Sequence, residues 1–334
     1  MLKYEIEKFT LTRDDSFMEG WPDLIKLKSG RLLAAYNECV GHGNRDHTHI
    51  TVRTSDDGGR SWSEKKYVGE ETFQGDQWNS IRVNQLADGR IILVCDRISG
   101  TEFSSETELY AFESLDGGET FGEKRRLGIY GYCSDKVREL SDGSLLLCIS
   151  RFNHTLGKSE VFAHKSFDGG YSWSEPKIAA SSSEYNFIEP AAYEMRDGTV
   201  AVFLRENSFK NYNGFAVLSK DGGNNFSRHI EIPVPGMHRP FVGRLENGKM
   251  LLSYREFLMG DKSRLKACVF DENAILSGGN FEIFEIDRDM SKTPDSGYSA
   301  WVRLEDGEIV MVNYIVDDAP RAYIRGYRIR IGEE

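Results

Sequence analysis

One phrase recurs six times along the chain, and it limits the possible folds more than any other feature of the sequence. Each copy is an apolar strand, a short Asp-Gly, Asn-Gly or Ser-Gly turn, and a second, strongly apolar strand, as in VNQLADGRIILVC. The turn glycines, about 50 to 60 residues apart, are Gly30, Gly89, Gly143, Gly198, Gly248 and Gly307. Glycine supplies the positive φ that a tight hairpin needs. The pattern therefore predicts six copies of one β unit.

Units of this length, built from short strands and without a helical period, are typical of a β-propeller with one four-stranded sheet per unit. We predict an all-β fold, a six-bladed β-propeller with four-stranded antiparallel blades. The last copy has a third strand in RAYIRGYRIRI and no chain left for a fourth, whereas KYEIEKFTL at the start is a strand without a blade. The N-terminal strand should complete the last blade and remove its exposed edge. One closed ring predicts a single domain over residues 1–334.

Four of the six units carry a second motif, Ser-x-Asp-Gly-Gly-x-x-Trp/Phe. Its copies are SDDGGRSW from Ser55, SLDGGETF from Ser114, SFDGGYSW from Ser166 and SKDGGNNF from Ser219. We interpret the motif as a turn in which the Asp carboxylate accepts backbone N–H bonds and the aromatic ring packs on the strands. A calcium loop is the alternative, but the bidentate Glu of such loops is missing.

These repeats resemble the Asp boxes of the sialidase (neuraminidase) superfamily, and the resemblance covers essentially the whole chain. It implies a BNR-repeat propeller and an exo-acting glycoside hydrolase that removes terminal sialic acid or a related acidic sugar. Asp boxes are specific for the fold and weak for the activity, because differently specific and non-catalytic propellers carry them too. A uronate-directed glycosidase or polysaccharide lyase that uses histidine, and a non-catalytic glycan-binding propeller, are therefore alternatives.

Composition restricts the partners. The chain has 42 Lys+Arg against 53 Asp+Glu, a net charge of -11, which argues against nucleic acid as the main partner. It lacks an apolar run long enough to span a membrane, and MLKYEIEKFTLTRDD has no signal-peptide pattern. Five widely spaced cysteines predict neither a disulfide framework nor a zinc site. We expect a monomer without cofactor that binds an acidic glycan, cytoplasmic as given, or secreted if a leader has been trimmed.

The repeat also indicates which side chains surround the propeller axis, where the blades share one cavity. Nine residues before the turn glycines stand Trp21, Ser80, Ser134, Glu189, Arg239 and Tyr298. Seven or eight residues after them, in the second to fifth units, stand Arg97, Arg151, Arg205 and Arg255. Converging guanidinium groups repel one another unless an anion lies between them, and arginine binds carboxylates in a bidentate fork. We therefore predict a positively charged cavity; the alternative is that each arginine pairs with an acid of its own blade.

The resemblance implies catalytic roles for three residues. Tyr298, in SGYSAWVRLEDG, would be the nucleophile, Glu189 its base, and Asp46, in the long loop of the first unit, the acid/base. A neutral phenol suits a sialoside because the carboxylate on the anomeric carbon repels an anionic nucleophile. The alternatives are a rim aromatic that stacks on sugar for Tyr298 and a salt bridge to Arg205 for Glu189.

The resemblance also implies a carboxylate-binding arginine triad, of which one member is missing. Arg205 and Arg264 would be its second and third arginines, with Arg255 competing for the third place. The family's Arg-Ile-Pro motif, which carries the first arginine, is replaced here by Gly-Trp-Pro at residues 20–22. Either Arg239 or Arg255 rebuilds the recognition of the carboxylate, or the substrate is not an ordinary sialoside.

Histidines and a tryptophan give further candidates. His47 and His49 lie two residues apart in a predicted strand, and His42 and Asp46 are near in the sequence. This cluster could form a metal site or supply a catalytic base. No fourth ligand follows at a recognisable spacing, so we predict no metal. His238 opens the fifth unit at the cavity mouth and would suit a lyase or an unusual glycosidase. Trp21 would suit sugar stacking, with core packing as the alternative.

Overall fold

The computed structural model describes residues 2–100, 107–259 and 263–332. In these ranges the first two blades are β2 (Met18–Lys26), β3 (Leu32–Cys39), β4 (Thr48–Ser55) and β5 (Lys66–Thr72), then β6 (Asp76–Gln85), β7 (Ile91–Ser99), β8 (Glu108–Ser114) and β9 (Arg125–Tyr130). Blades three and four are β10 (Arg138–Glu139), β11 (Leu145–Asn153), β12 (Lys158–Ser166) and β13 (Lys177–Ala180), then β14 (Phe187–Glu194), β15 (Val200–Glu206), β16 (Asn213–Ser219) and β17 (Ile230–Pro235). Blade five is β18 (Met237–Arg244), β19 (Met250–Glu256), β20 (Arg264–Phe270) and β21 (Glu282–Arg288), with helix α1 (Ala274–Ser277) before β21.

Blade six uses both ends of the chain. It consists of β22 (Ser296–Arg303), β23 (Ile309–Ile315), β24 (Tyr323–Gly332) and β1 (Lys3–Thr12), hydrogen-bonded in that order. Strand β1 runs antiparallel to β24, with Lys3 opposite Gly332 and Thr12 opposite Ile324. The predicted six-bladed ring and its closure by the N-terminal strand are both confirmed.

The core lies between neighbouring blades. Leu33 and Val52 of blade one share one buried cluster with Val83 and Leu93 of blade two, and similar clusters join the other neighbouring pairs. A single sheet cannot bury its own faces, so each blade depends on the next for its apolar contacts.

The Ser-x-Asp-Gly-Gly motifs form the turns between the third and fourth strands of blades one to four. In the first, Ser55 Oγ donates to the Asp57 carboxylate at 2.8 Å and accepts from the N–H of Gly59 at 2.8 Å. Asp57 also accepts from the N–H groups of Arg60 and Ser61, both at 2.9 Å. These bonds favour the charged carboxylate, so the pKa of Asp57 lies well below its usual value. The same contacts recur in the other three copies.

Helix α1 has only four residues. No helix within the described ranges combines the length and the apolar character needed to cross a membrane.

Candidate functional site

Six residues with unusual backbone geometry surround the axis, one from each blade. Trp21, Ser80, Cys133, Glu189, Arg239 and Tyr298 all have φ between 46° and 56° although none is glycine. In every blade except the third, the pairing between the first and second strands shifts register at this point, which marks a β-bulge. Such a conformation costs about 1–2 kcal/mol for a non-glycine residue and is characteristic of functional sites.

Counting back from the turn glycine therefore finds the bulge residue in five blades. In blade three the left-handed residue is Cys133, one position before the predicted Ser134. The inner segment of this blade pairs regularly only over Arg138–Glu139 and has one more residue between the bulge and the turn.

The bulges direct side chains into a central cavity of about 400 Å³. Four of the bulge residues line it: Trp21, Cys133, Glu189 and Tyr298. Loop residues complete its wall. The floor of the cavity is therefore formed by the bulged strands and its rim by loops.

Tyr298, Glu189 and Arg205 form a hydrogen-bonded chain on the cavity floor. The Tyr298 hydroxyl donates to Oε1 of Glu189, and Nη1 of Arg205 donates to Oε2 at 2.8 Å. Burial by itself raises the pKa of Glu189, but the charges of Arg205 and Arg239 bring it down to about 2. Burial, reinforced by the charge of Glu189, holds the pKa of Tyr298 well above its usual value of 10. The resting pair is thus a neutral phenol bound to a carboxylate.

A second layer of charge lies against the ring of Tyr298. The guanidinium carbons of Arg239 and Arg82 lie 5.0 Å and 5.5 Å from the ring centroid. Burial, together with repulsion from Arg239, lowers the pKa of Arg82 to about 10. Nearby, Asp23 and Lys136 form a buried ion pair at 2.9 Å. The positive charges of Arg239 and Arg82 stabilise any negative charge that develops on the Tyr298 oxygen.

Arg239 was expected to replace the missing triad arginine, but its side chain does not reach into the cavity. Its guanidinium donates to the carbonyl groups of Cys133 at 3.3 Å and Ser134 at 2.8 Å, and it is not among the residues that line the cavity. Its backbone carbonyl partners and the Tyr298 ring hold it beneath the floor.

The four predicted arginines do not converge as a set, because their positions are not equivalent in the strand register. Arg205 and Arg255 lie opposite the residue just before the bulge residue, and both line the cavity. In blades two and three that position holds Asp96 and Ser150 instead. Arg97 and Arg151 come one residue later, and a shift of one residue turns a strand side chain to the other face.

Besides Arg239, three candidate arginines lie outside the cavity. Arg97 pairs with Asp76 at 2.6 Å and with Glu70 at 2.7 Å. Arg151 is exposed and lines a separate groove. Arg264 lies 3.7 Å from Glu256 and from Glu285, so that Arg255, the competing choice for the third triad arginine, occupies the cavity in its place.

A third cavity arginine, Arg45, was missed by the sequence reasoning. Its guanidinium lies 4.1 Å from the ring centroid of Trp21, and its Nη2 donates to the carbonyl of Trp78 at 2.9 Å. Within the described residues, the buried Nε atoms of Arg45, Arg205 and Arg255 have no hydrogen-bond partner. The only available signal was that Arg45 precedes Asp46 in the first-unit loop.

Asp46 and the two neighbouring histidines do not line the cavity. The half-buried Asp46 carboxylate accepts from the N–H of Gln74 at 3.0 Å. His47 and His49 both approach the same Glu71 oxygen, at 2.7 Å and 3.4 Å. Among the residues that the structure describes, no group of three or more His, Cys, Asp or Glu side chains is arranged to hold a metal ion.

Two other histidines lie nearer the axis. His42 lines the cavity, with Nδ1 2.8 Å from the carboxylate of Asp295. His238 is buried behind the wall and stacks on Phe257, with ring centroids 5.2 Å apart. Burial, and to a smaller extent the charges of Arg205 and Arg255, hold the pKa of His238 well below its usual value, so its imidazole is neutral.

Comparison with solved structures places the fold. The chain resembles a Dyadobacter fermentans protein of unknown function at 18% identity and a TM-score of 0.84, over 98% of this chain and 99% of that one. It resembles the NanB sialidase of Streptococcus pneumoniae at 14% identity and a TM-score of 0.69, over 96% of this chain and 70% of that one. It also resembles an α-L-arabinanase of Penicillium chrysogenum at 16% identity and a TM-score of 0.68, over 97% of both chains. At such identities the likeness concerns the fold alone.

Comparison with curated proteins gives no match. The model of the BNR repeat-like domain family matches residues 23–311, which is most of the chain. The protein therefore belongs to the BNR repeat-like domain family and forms a sialidase-like propeller of six blades.

Proposed function

We propose that the protein is an exo-acting, retaining glycoside hydrolase that removes a terminal sialic acid or a related acidic sugar. The observation that carries this proposal is the hydrogen bond from the Tyr298 hydroxyl to Glu189 on the cavity floor. A nucleophile within hydrogen-bond reach of its base is the arrangement that covalent catalysis requires. Two of the similar folds belong to glycosidases, a sialidase and an arabinanase, which supports the reaction class.

The charge of the cavity supports an acidic substrate. Arg45, Arg205 and Arg255 reach it from blades one, four and five, each with a buried Nε that has no partner within the described residues. A substrate carboxylate would supply acceptors for these N–H groups and neutralise part of their charge. Trp21 and Phe209, which also line the cavity, offer aromatic faces to the sugar ring.

Substrate charge would also prepare Glu189 for its role as base. With a pKa of about 2, held there largely by Arg205 and Arg239 against the effect of burial, the carboxylate is a weak base in the empty site. A carboxylate bound to Arg205 offsets the attraction of that guanidinium for Glu189 and so raises the basicity of Glu189. Acidic substrates are thereby favoured in the chemical step as well as in binding.

The first prediction tests the nucleophile. Tyr298→Phe removes one oxygen and leaves the Glu189–Arg205 pair, so stability should change by only about 1 kcal/mol. Turnover of 4-methylumbelliferyl sialoside should fall on the order of 10³-fold or more, while binding of a free acidic sugar, measured by calorimetry, is retained. Tyr171→Phe, at an exposed tyrosine that does not line the cavity, is the matched control and should keep wild-type turnover.

Three other outcomes separate the alternatives. Turnover of 4-methylumbelliferyl uronides and not of sialosides would indicate a uronate-directed enzyme. Glycan binding by the wild type without turnover would identify a binding propeller. Sialoside turnover that survives Tyr298→Phe would refute the covalent mechanism.

A further inference from the structure

A histidine and an aspartate from separate loops meet at the wall of the cavity. His42 lies in the loop between β3 and β4, and Asp295 immediately precedes β22. Nδ1 of His42 lies 2.8 Å from Oδ2 of Asp295, so Nε2 is the ring nitrogen that this contact does not use. We propose that His42 is the general acid/base of the reaction and that Asp295 is its positioning residue. This inference rests on the proposed function and names the proton donor that it needs.

The position of His42 matches that task. Its ring packs edge-on against Trp21, with centroids 5.1 Å apart, and Trp21, His42 and Tyr298 all line the same cavity. Tyr298 is buried, whereas the His42 side chain is 54% exposed. In an exo-acting enzyme the terminal sugar fills the closed end and the leaving group points toward solvent. A proton donor for the leaving oxygen therefore belongs at the exposed side, where His42 lies.

Asp295 is held in place by further hydrogen bonds. Its Oδ1 accepts from the Tyr314 hydroxyl at 2.9 Å, and its backbone N–H donates to Asp289 at 2.9 Å. Burial raises the pKa of Asp295, but the bonds from His42 and Tyr314 bring it below its usual value, so the carboxylate is charged. A charged carboxylate at Nδ1 fixes the tautomer of the imidazole and stabilises the imidazolium form.

Other charged groups act on this pair. Arg255 of β19 faces Asp295, Arg45 lies over Trp21 beside His42, and the Arg321 guanidinium donates to the carbonyl of Val40 in the His42 loop. The pair thus lies among cationic groups from three separate parts of the chain.

Asp46, the acid/base that the family resemblance implies, is less well placed. It is not among the residues lining the cavity, and its carboxylate already accepts from the N–H of Gln74. His42 belongs to the same loop and reaches the cavity without any rearrangement.

The two steps then balance. In the first, Tyr298 Oη bonds to the anomeric carbon and gives its proton to Glu189, while the bond to the leaving oxygen breaks. The electron pair leaves with that oxygen, which takes the proton from Nε2 of protonated His42. In the second, neutral Nε2 takes a proton from water, whose oxygen bonds to the anomeric carbon as the bond to Tyr298 Oη breaks. Oη then recovers its proton from Glu189.

The experiment compares two leaving groups. His42→Ala should lower kcat/KM about 10²- to 10⁴-fold for an alkyl sialoside, whose leaving oxygen needs a proton, and much less for the 4-methylumbelliferyl sialoside. Added imidazole should restore part of the activity. Asp295→Asn should move the alkaline limb of the kcat profile to lower pH, which a purely structural role would not do. His47→Ala, in the same loop and directed at Glu71, is the matched control and should behave as wild type.

The outcomes distinguish a failure of the His42 assignment from a failure of the proposed hydrolase function. If Tyr298→Phe abolishes turnover but His42→Ala loses activity equally on both substrates, or on neither, the assignment of His42 is wrong and the hydrolase remains. The assignment is also wrong if the selective loss appears in Asp46→Asn, with rescue by azide. If the wild-type protein cleaves no glycoside, both proposals fail together.

Discussion

Two buried carboxyl groups beside the cavity, Glu189 and Asp96, respond differently to similar burial. Glu189 has a pKa of about 2 because the charges of Arg205 and Arg239 outweigh the effect of burial. Asp96 has a pKa of about 7 because burial dominates and its nearest partners, the Asn79 amide and the Cys133 N–H, are neutral. The nearest cation, not depth alone, decides which carboxyl group is charged at neutral pH.

The pKa of Asp96 predicts a dependence of stability on pH. Its folded value of about 7 lies above its ordinary value of 3.8, so between these values the unfolded chain is ionised at this residue and the folded chain is not. This residue's contribution to stability should therefore decline as pH rises from 4 to 7 and level off above. Asp96→Asn removes that contribution, so its melting temperature relative to wild type should be higher at pH 8 than at pH 4.

Thermal melts of both proteins across this range check the prediction. Asp306→Asn, at an exposed turn position, is the control and should show no such trend. A difference between Asp96→Asn and wild type that stays constant with pH would mean that Asp96 is charged in the folded protein throughout.

Individual site residues could be predicted from the sequence only where they occupy equivalent positions in the repeated units. Glu189 and Tyr298 come from counting back from the turn glycine, and both line the cavity. Arg97 was expected at the axis and lies outside the cavity, because the count after the glycine differs by one between blades and one residue reverses the face of a strand. His42 and Arg45 lie in a loop outside the repeated strands, so no periodicity could indicate their direction.

At the scale of the strand, the bulge is the element that makes the site. Register shifts in five inner strands coincide with left-handed residues that aim at the axis. The sheets on both sides of each bulge fix this strained conformation. The sequence predicted the position and not the bulge, because nothing in a Trp, Glu or Tyr residue signals a positive φ.

Two buried serines, one at a bulge and one beside a bulge residue, allow a test of that strain. Ser80 and Ser134 are both buried, but only Ser80 has a positive φ. Ser80→Gly should be neutral or stabilising, because glycine removes a cost of about 1 kcal/mol. Ser134→Gly should destabilise by about 0.5–1 kcal/mol, since it adds freedom to the unfolded chain without relieving strain. Chemical denaturation measures both, and equal losses would argue against strain at the bulge.

At the scale of the molecule, the grooves between blades differ around the ring. The second glycine of each Asp box lies against a side chain of the preceding blade, in the pairs Gly59 with Val310, Gly118 with Leu33, Gly170 with Ile92 and Gly223 with Leu146. Between blades five and six a groove of about 510 Å³ is lined by the hairpins of both blades and by β24. No hairpin can fill it, because β24 and β1 come from opposite ends of the chain.

Ring closure could be predicted because the last unit lacks a fourth strand and the N-terminal strand lacks a blade. The contacts of β1 explain why this closure matters for stability. Ile6 packs on the cluster shared by blades five and six, whereas Phe9 packs on the cluster shared by blades six and one. Lys8 adds an ion pair with Asp287 of blade five. This one strand therefore contributes to both interfaces of blade six, in addition to pairing with β24.

The last prediction follows from that double contact. Deleting residues 1–12 removes the packing of Ile6 and Phe9 and exposes the edge of β24, so unfolding should become easier by about 3 kcal/mol or more. The melting temperature should fall by several degrees, and size-exclusion chromatography should reveal association through the bare edge. Glu5→Gln, at an exposed position of the same strand, preserves the pairing and is the control. An unchanged melting temperature and a single monomer peak after the deletion would mean that five complete blades and a three-stranded sixth suffice for stability, and that β1 does not close the ring energetically.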